Sequence, residues 1–167
     1  LFLFGIYDDK YDLHPNKKLL TTTLIVLSAT LIDKNLMITR IWFSFNPQPI
    51  FLYEFSTFFT VICILIFMNA FNMFDGVNLQ SGIYSSVIFL IFYKYDILPI
   101  FSIFLLICLA SFLILNFKNK IFLGNSGSFL LSFLLALIFI KSTNLKDVFK
   151  ADEILLIMLI PGLEMIR

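Results

Sequence analysis

Leu52-Tyr53-Glu54-Phe55-Ser56-Thr57-Phe58-Phe59-Thr60-Val61-Ile62-Cys63-Ile64-Leu65-Ile66-Phe67-Met68-Asn69-Ala70-Phe71-Asn72-Met73-Phe74-Asp75-Gly76 is the stretch that decides the fold. Between Glu54 and Asp75 it carries no charge, and about 20 mainly apolar residues suffice for a helix to cross hydrocarbon. Its far end is different. Asn69, Asn72 and Asp75 recur at i, i+3 and i+6, a polar stripe on a helix otherwise built of Phe and Ile, and Gly76 permits the helix to stop there. A second such cluster, Gly5-Ile6-Tyr7-Asp8-Asp9-Lys10-Tyr11-Asp12-Leu13, follows the apolar opening of the chain. A charge near hydrocarbon costs on the order of 2–3 kcal/mol, so carboxylates gathered at helix ends point to an ion, substrate or catalytic site.

The rest of the chain repeats the pattern. Six apolar runs are expected to be membrane helices, at about 18–33, 52–72, 77–93, 97–117, 124–141 and 152–167, after the end of a preceding helix over 1–7. Backbone polar groups in lipid must be satisfied internally and no period-2 alternation is present, so the expected fold is an all-α polytopic transmembrane bundle. Composition agrees: 60% of the 167 residues are hydrophobic, 22 are Phe and only 14% are charged, against about 25% charged in soluble domains. The net charge of +1 offers no field for nucleic acid. Cys63 and Cys108 fall in apolar runs and are expected to be buried thiols. Ile38 to Phe45 alternates and leads into Asn46-Pro47-Gln48-Pro49, which predicts a short extended segment or interfacial hairpin anchored by Trp42. Leu1 opens in apolar sequence and Arg167 closes a run too short to span, so residues 1–167 are expected to be one membrane domain, incomplete at both ends.

Alternating the crossings places Asp8 to Lys18, Asn69 to Gly76 and Asn116 to Asn125 on one side of the membrane. The other side receives Asp33 to Pro49, Tyr93 to Asp96 and Lys141 to Glu153, which have the look of solvated turns. Charge does not orient the bundle. Lys10, Lys17, Lys18, Lys118, Lys120 and Arg167 on the first side balance Lys34, Arg40, Lys94, Lys141, Lys146 and Lys150 on the second.

Three clusters carry chemistry. On a helix Asp8 and Asp12 share a face while Asp9 points about 100° away, and such oxygen donors suit Mg²⁺ or Mn²⁺; a solvated acidic turn has the same composition. Lys17 and Lys18 can neutralise an anion or snorkel to the interface. Asn69 and Asn72 can order a ligand or bond to a neighbouring helix. Phe122-Leu123-Gly124-Asn125-Ser126-Gly127-Ser128 opens a further membrane helix, and amides at a helix N-terminus favour phosphate, though an ordinary N-cap fits too. His14, beside Pro15, is expected to be a bystander.

In this order and on one side, the clusters resemble the polyprenyl-phosphate N-acetylhexosamine-1-phosphate transferases of glycosyl transferase family 4. The resemblance rests on Gly5, Asp8, Asp9, Asp12, Leu13, Pro15 and Lys18, on Asn69 to Met73 with Asp75 and Gly76, and on Phe122 to Ser128. Pro161 to Arg167 resembles the lead-in to that family's His-rich loop. Departures are Asn78 and Asn125 where the family has Asp, and Thr22 where it has Gln. The resemblance implies transfer of a sugar-1-phosphate from a UDP-N-acetylhexosamine to polyprenyl (undecaprenyl) phosphate with release of UMP, an early membrane step in making cell-envelope polysaccharides such as lipopolysaccharide O-antigen.

It further implies Mg²⁺ as cofactor, with Mn²⁺ as the alternative, held by Asp9 and Asp75 with Asn125. Asp8 positions or deprotonates the lipid phosphate, and Asp8, Asp9 and Asp75 are the catalytic set. Asp12, Lys18, Asn69, Asn72, Gly124 and Ser126 bind substrate. The polar side then faces the cytoplasm from the bacterial inner membrane, and a homodimer is left open. Two other readings stand beside this one: a family-derived binding protein without catalysis, motivated by Asn78 and Asn125, and a cation-coupled transporter. Transport sites lie near the bilayer midplane, whereas these clusters lie at helix ends.

Overall fold

The computed structural model describes residues 1–166, so Arg167 lies outside the described residues. Seven α-helices follow one another: α1 Phe2–Tyr11, α2 Pro15–Ile32, α3 Ser56–Phe74, α4 Gln80–Lys94, α5 Pro99–Phe117, α6 Gly124–Lys146 and α7 Ala151–Ile166. The all-α membrane bundle expected from the sequence is what forms. Among the described residues three helical segments, Tyr53–Phe74, Pro99–Phe117 and Gly124–Lys146, are long and apolar enough to cross a membrane. That is fewer than the six runs expected. With 15 and 16 residues, α4 and α7 rise only about 22–24 Å, less than the hydrocarbon thickness, and α2 is diluted by hydroxyl residues.

The central helices are α3 and α6. They pack on each other, α3 also meets α2 and α7, and α1 lies along α6. Apolar residues surround each helix, so small polar residues mark the buried faces. Thr60, Ser128, Ser132 and Ser142 are buried, and the hydroxyls of Thr60, Ser132 and Ser142 donate to carbonyls of their own helix. Between these small residues the core is aromatic: Phe92 meets Phe139 at 4.8 Å between ring centroids, and Phe149 closes on Phe139 at 5.4 Å. By contrast α5 packs chiefly on α4 and is only 17% buried over its most apolar window, the profile of a helix whose outer face meets lipid. Cys108 is exposed on that helix and Cys63 is partly buried; both are free thiols, so the expected burial fails for Cys108.

Pro161 sits inside α7 and has no N–H to offer the carbonyl of Ile157, one turn back. The hydroxyl of Tyr84 on α4 donates to that carbonyl at 2.9 Å, which keeps the helix continuous and ties α7 to α4.

The end carrying residues 33–55, 95–98 and 146–150 is more than a set of solvated turns. Arg40–Ile41 (β1) pairs antiparallel with Ile50–Phe51 (β2), forming the expected hairpin. The carbonyl of the half-buried Trp42 accepts the amide of Ala151 at 2.8 Å, the Ser44 amide donates to Asp152 at 2.9 Å, and Asn144 donates to the carbonyls of Asn35 and Met37. Ion pairs Lys141–Asp33 at 2.8 Å and Arg40–Asp147 at 2.6 Å complete a cap that fixes the starts and ends of α2, α6 and α7.

Candidate functional site

Everything at the opposite end is organised by the first two turns of α6. Leu123 precedes the helix, and Gly124 takes a left-handed φ of +66° that turns the amides of Asn125 and Ser126 outward together. Asp9, two residues before the end of α1, lays its carboxylate across them: Asn125 N donates to Oδ1 at 2.9 Å and Ser126 N to Oδ2 at 3.1 Å. A helix N-terminus attracts anions, and here the anion is the protein's own Asp9. Asp9 lies beyond the apolar part of α1. Partial desolvation pushes its carboxyl up, but the amides of Ser126 and then Asn125 outweigh this, so the net direction is down from the ordinary carboxylate value.

Two glycines make the contact. A Cβ on Gly5 would fall 2.2 Å from Ser126 Cα, so α1 and α6 cross with their backbones nearly touching. A Cβ on Gly124 would fall 3.1 Å from Asp9 Oδ2, in a backbone conformation that side chains already resist.

Asp8 points the other way and is buried at 1% exposure. Its Oδ2 lies 2.6 Å from Lys18 Nζ, an electrostatic approach rather than an aligned hydrogen bond, and its Oδ1 accepts the Leu13 amide at 3.2 Å. Lys18 also stands over the Phe129 ring at 5.9 Å, which brings the Asp8–Lys18 pair against α6. The expected convergence of Asp8 with Asp12 does not occur. The helix stops at Tyr11, and Asp12 turns left-handed at φ 45° to cap it and stays exposed. His14 is the N-cap of α2: its Nδ1 accepts the Asn16 amide at 3.4 Å, with Pro15 in the first turn. Thr22 is buried and donates to the Lys18 and Leu19 carbonyls.

The third cluster reaches α6 from α3. Asn72 Oδ1 accepts the Ser128 hydroxyl at 2.6 Å, one turn into α6, whereas Asn69 bonds back to Leu65 O of its own helix. Asp75 follows the last residue of α3 and accepts the Ser81 hydroxyl. Burial pushes the Asp75 carboxyl up, the Ser81 hydroxyl pulls it partly back, and the net direction is up. The turn after Asp75 does not use Gly76 for a left-handed residue; Leu79 takes that conformation, at φ 71°.

Sequence reasoning missed Asn116. It is buried at the end of α5, accepts the Leu79 amide at 2.7 Å and donates to the Ile121 carbonyl at 2.7 Å, so one side chain locks the 75–80 turn to the segment leading into α6. The signal was there to read: a lone Asn closing 19 uncharged, mostly apolar residues. Asn78 donates to Asn119 across the same turns. Asp75, Val77, Asn78, Asn116, Phe122 and Leu123 enclose a cavity of about 20 Å³, room for one water-sized occupant.

Among the described residues no three His, Cys, Asp or Glu side chains group as a metal cage. The donor chemistry fits Mg²⁺ in another way. That ion keeps several waters and takes one or two carboxylates plus substrate phosphate oxygens, and both Asp9 and Asp75 retain acceptor capacity beyond the bonds described.

Three polar clusters from α1–α2, α3–α4 and α5–α6 thus meet at one helix start, in the order the family's motifs require, and the sequence profile described as "Glycosyl transferase family 4" matches residues 1–143. The chain belongs to this family. Among curated relatives, an undecaprenyl-phosphate alpha-N-acetylglucosaminyl 1-phosphate transferase of Thermotoga maritima is 35% identical over 136 residues, covering 78% of this chain and 39% of the relative. The enzymes of the same name from Salmonella typhi and from Escherichia coli O157:H7 are each 26% identical over 154 residues, covering 86% of this chain and 42% of theirs. The chain therefore spans about two fifths of the length of the relatives it matches. No solved structure matches it.

Proposed function

We propose that the protein transfers N-acetylhexosamine-1-phosphate from a UDP-sugar to polyprenyl phosphate and releases UMP. A phosphate oxygen of the lipid attacks the sugar-bearing phosphorus of the donor, and the bond to the UMP oxygen breaks. One observation carries the reading: Asp9 and the Asp8–Lys18 pair from one sequence cluster and Asn72 from another all engage the first turns of α6. The names of the relatives supply the acceptor class and the sugar phosphate.

A lipid acceptor arrives through the bilayer and a nucleotide sugar through water, so helix ends at the interface are where both can be met. Two anionic reactants repel. A bound Mg²⁺ supplies charge neutralisation at the phosphates, and Asp9 and Asp75 would hold it, with Asn125 adding a neutral oxygen. Asp8, fixed by Lys18, positions the lipid phosphate or takes its proton; a phosphate monoester is already largely dianionic near pH 7, so positioning is the larger need. Lys18 serves phosphate when it leaves Asp8. The α6 amides hold Asp9 in this structure, so Gly124 and Ser126 would bind a phosphate there only once Asp9 turns to the metal, and Asn69, Asn72 and Asp12 order the surrounding loops. The site faces the cytoplasm from the bacterial inner membrane, at the first membrane step of a cell-envelope polysaccharide.

The test is Mg²⁺-dependent UMP release by the full-length protein in membranes, given polyprenyl phosphate and a panel of UDP-N-acetylhexosamines. Release abolished by Asp9→Asn and by Asp75→Asn supports the reading. Asn125 favours one rival, a member that binds substrate without turnover: no release from any sugar, with release restored by Asn125→Asp alone, selects it.

A further inference from the structure

The bundle carries a second, larger concavity away from the α6 turn. α4 and α5 are pressed together at Gly82, where a Cβ would meet Leu113 Cδ2 at 2.7 Å. Towards the Asn116 end they leave an open groove of about 330 Å³, lined by Leu79, Ile83, Leu113, Ile114, Phe117 and Lys118. Five of the lining residues are apolar, and the sixth, Lys118, walls the groove with its aliphatic stem, which leaves its ammonium for the rim. Lys118 caps α5 where the apolar helix gives way to the polar 118–120 turn, and it is exposed. The ion pairs among the described residues use other lysines and an arginine, so Lys118 has no carboxylate neutralising it.

A slot that is greasy along its length and positive at its interfacial mouth matches an amphiphile with an anionic head; basic pockets between membrane helices hold such lipids. We infer that the α4–α5 groove binds an anionic membrane phospholipid, its acyl chain along Ile83, Leu113 and Ile114 and its head group at Lys118. None of the residues lining the groove is among those that engage the start of α6, so the position assigned to this lipid is distinct from the one proposed for the acceptor phosphate. Leu79 belongs to both places: its side chain walls the groove, and its amide is held by Asn116 in the turn that carries Asp75. A seated lipid therefore braces that turn from its membrane side.

The experiment uses the full-length protein in nanodiscs of phosphatidylcholine with a minor fraction of phosphatidylglycerol, released into mild detergent, with retained lipid identified by native mass spectrometry. Phosphatidylglycerol is expected to be retained in preference to phosphatidylcholine. Lys118→Glu should lower its retention about fivefold or more, as removal of one interfacial lysine contact predicts. Ile83→Trp, which fills the groove, should lower it as well, whereas Lys94→Glu at the other end of α4 should not. The inference is overturned if Lys118→Glu retains phosphatidylglycerol at the wild-type level, if phosphatidylcholine is held equally, or if polyprenyl phosphate displaces the lipid. A photocrosslinker at Ile114 that captures protein rather than lipid also overturns it.

Discussion

The crossing of α1 and α6 at Gly5 gives the sharpest prediction, because the obstacle to any side chain there is backbone. In Gly5→Ala the new Cβ would lie 2.2 Å from Ser126 Cα and 2.7 Å from Ser126 N; carbon contacts relax at about 3.5 Å, so the helices must part by roughly 1.3 Å. The Asp9 bonds to Asn125 and Ser126, now 2.9 and 3.1 Å, then stretch towards about 4 Å or more and are lost. Hydrogen bonds to a charged group contribute about 1.5–3 kcal/mol each, but Asp9 is largely exposed and water recovers much of this, leaving about 1–2 kcal/mol for the pair. Forced separation of packed helices adds about 1–3 kcal/mol.

A loss of about 2–5 kcal/mol should lower the thermal midpoint of the purified protein by roughly 5–15 °C. UMP release should fall at least tenfold, because Asp9 loses its seat. Ser126→Gly should not fully rescue Gly5→Ala, since it removes only the Ser126 Cβ contact at 3.0 Å and leaves the harder clashes with Cα and N. Wild-type melting and turnover in Gly5→Ala, or full rescue by Ser126→Gly, would refute the close-crossing argument.

Other expectations follow from the same geometry. Lys18→Met strands the buried Asp8 carboxylate and should cost about 2–4 kcal/mol in thermal stability, while the double change Asp8→Asn with Lys18→Met should recover part of it; equal melting of single and double variants sinks the ion-pair reading. Asn116→Ala leaves the Leu79 amide and Ile121 carbonyl without partners and should cost about 2–4 kcal/mol, with faster proteolysis confined to residues 75–80 and 117–124. For Asp9 the folded pKa lies below the unfolded value of about 3.9, so its stabilisation is complete above that value and is lost as pH falls through the lower folded one; Asp9→Asn and wild type should converge in stability in that acid range and differ at neutral pH. For Asp75 the folded pKa is raised, so its contribution favours folding below the unfolded value and is lost as pH rises through the folded one. Asp75→Asn should accordingly melt higher than wild type at pH 7 in chelator, and show less stabilisation by added Mg²⁺.

The sequence by itself determined the class, the helix order and the residues of the polar clusters. Long uncharged runs of Phe, Ile and Leu point to lipid, and the expected alternation of crossings grouped Asp8–Lys18, Asn69–Gly76 and Asn116–Asn125; that they meet rests on the contacts around the start of α6, since only three helical segments among the described residues are long and apolar enough to cross. The motif residues were visible for the same reason, since polar groups are costly beside hydrocarbon. What tertiary structure alone decided is which atom meets which. Helices that are apolar all round give no periodic signal for the face that turns inward, so the centrality of α3 and α6 and the exposure of α5 were not legible. Helical spacing paired Asp8 with Asp12, but the chain leaves the helix at Tyr11, and Asp8 and Asp9 diverge to Lys18 and to the α6 amides. Gly5 is one glycine among six in the sequence; only the approach of Ser126, more than a hundred residues away, makes it indispensable, because such contacts depend on how two helices cross and not on what either helix contains.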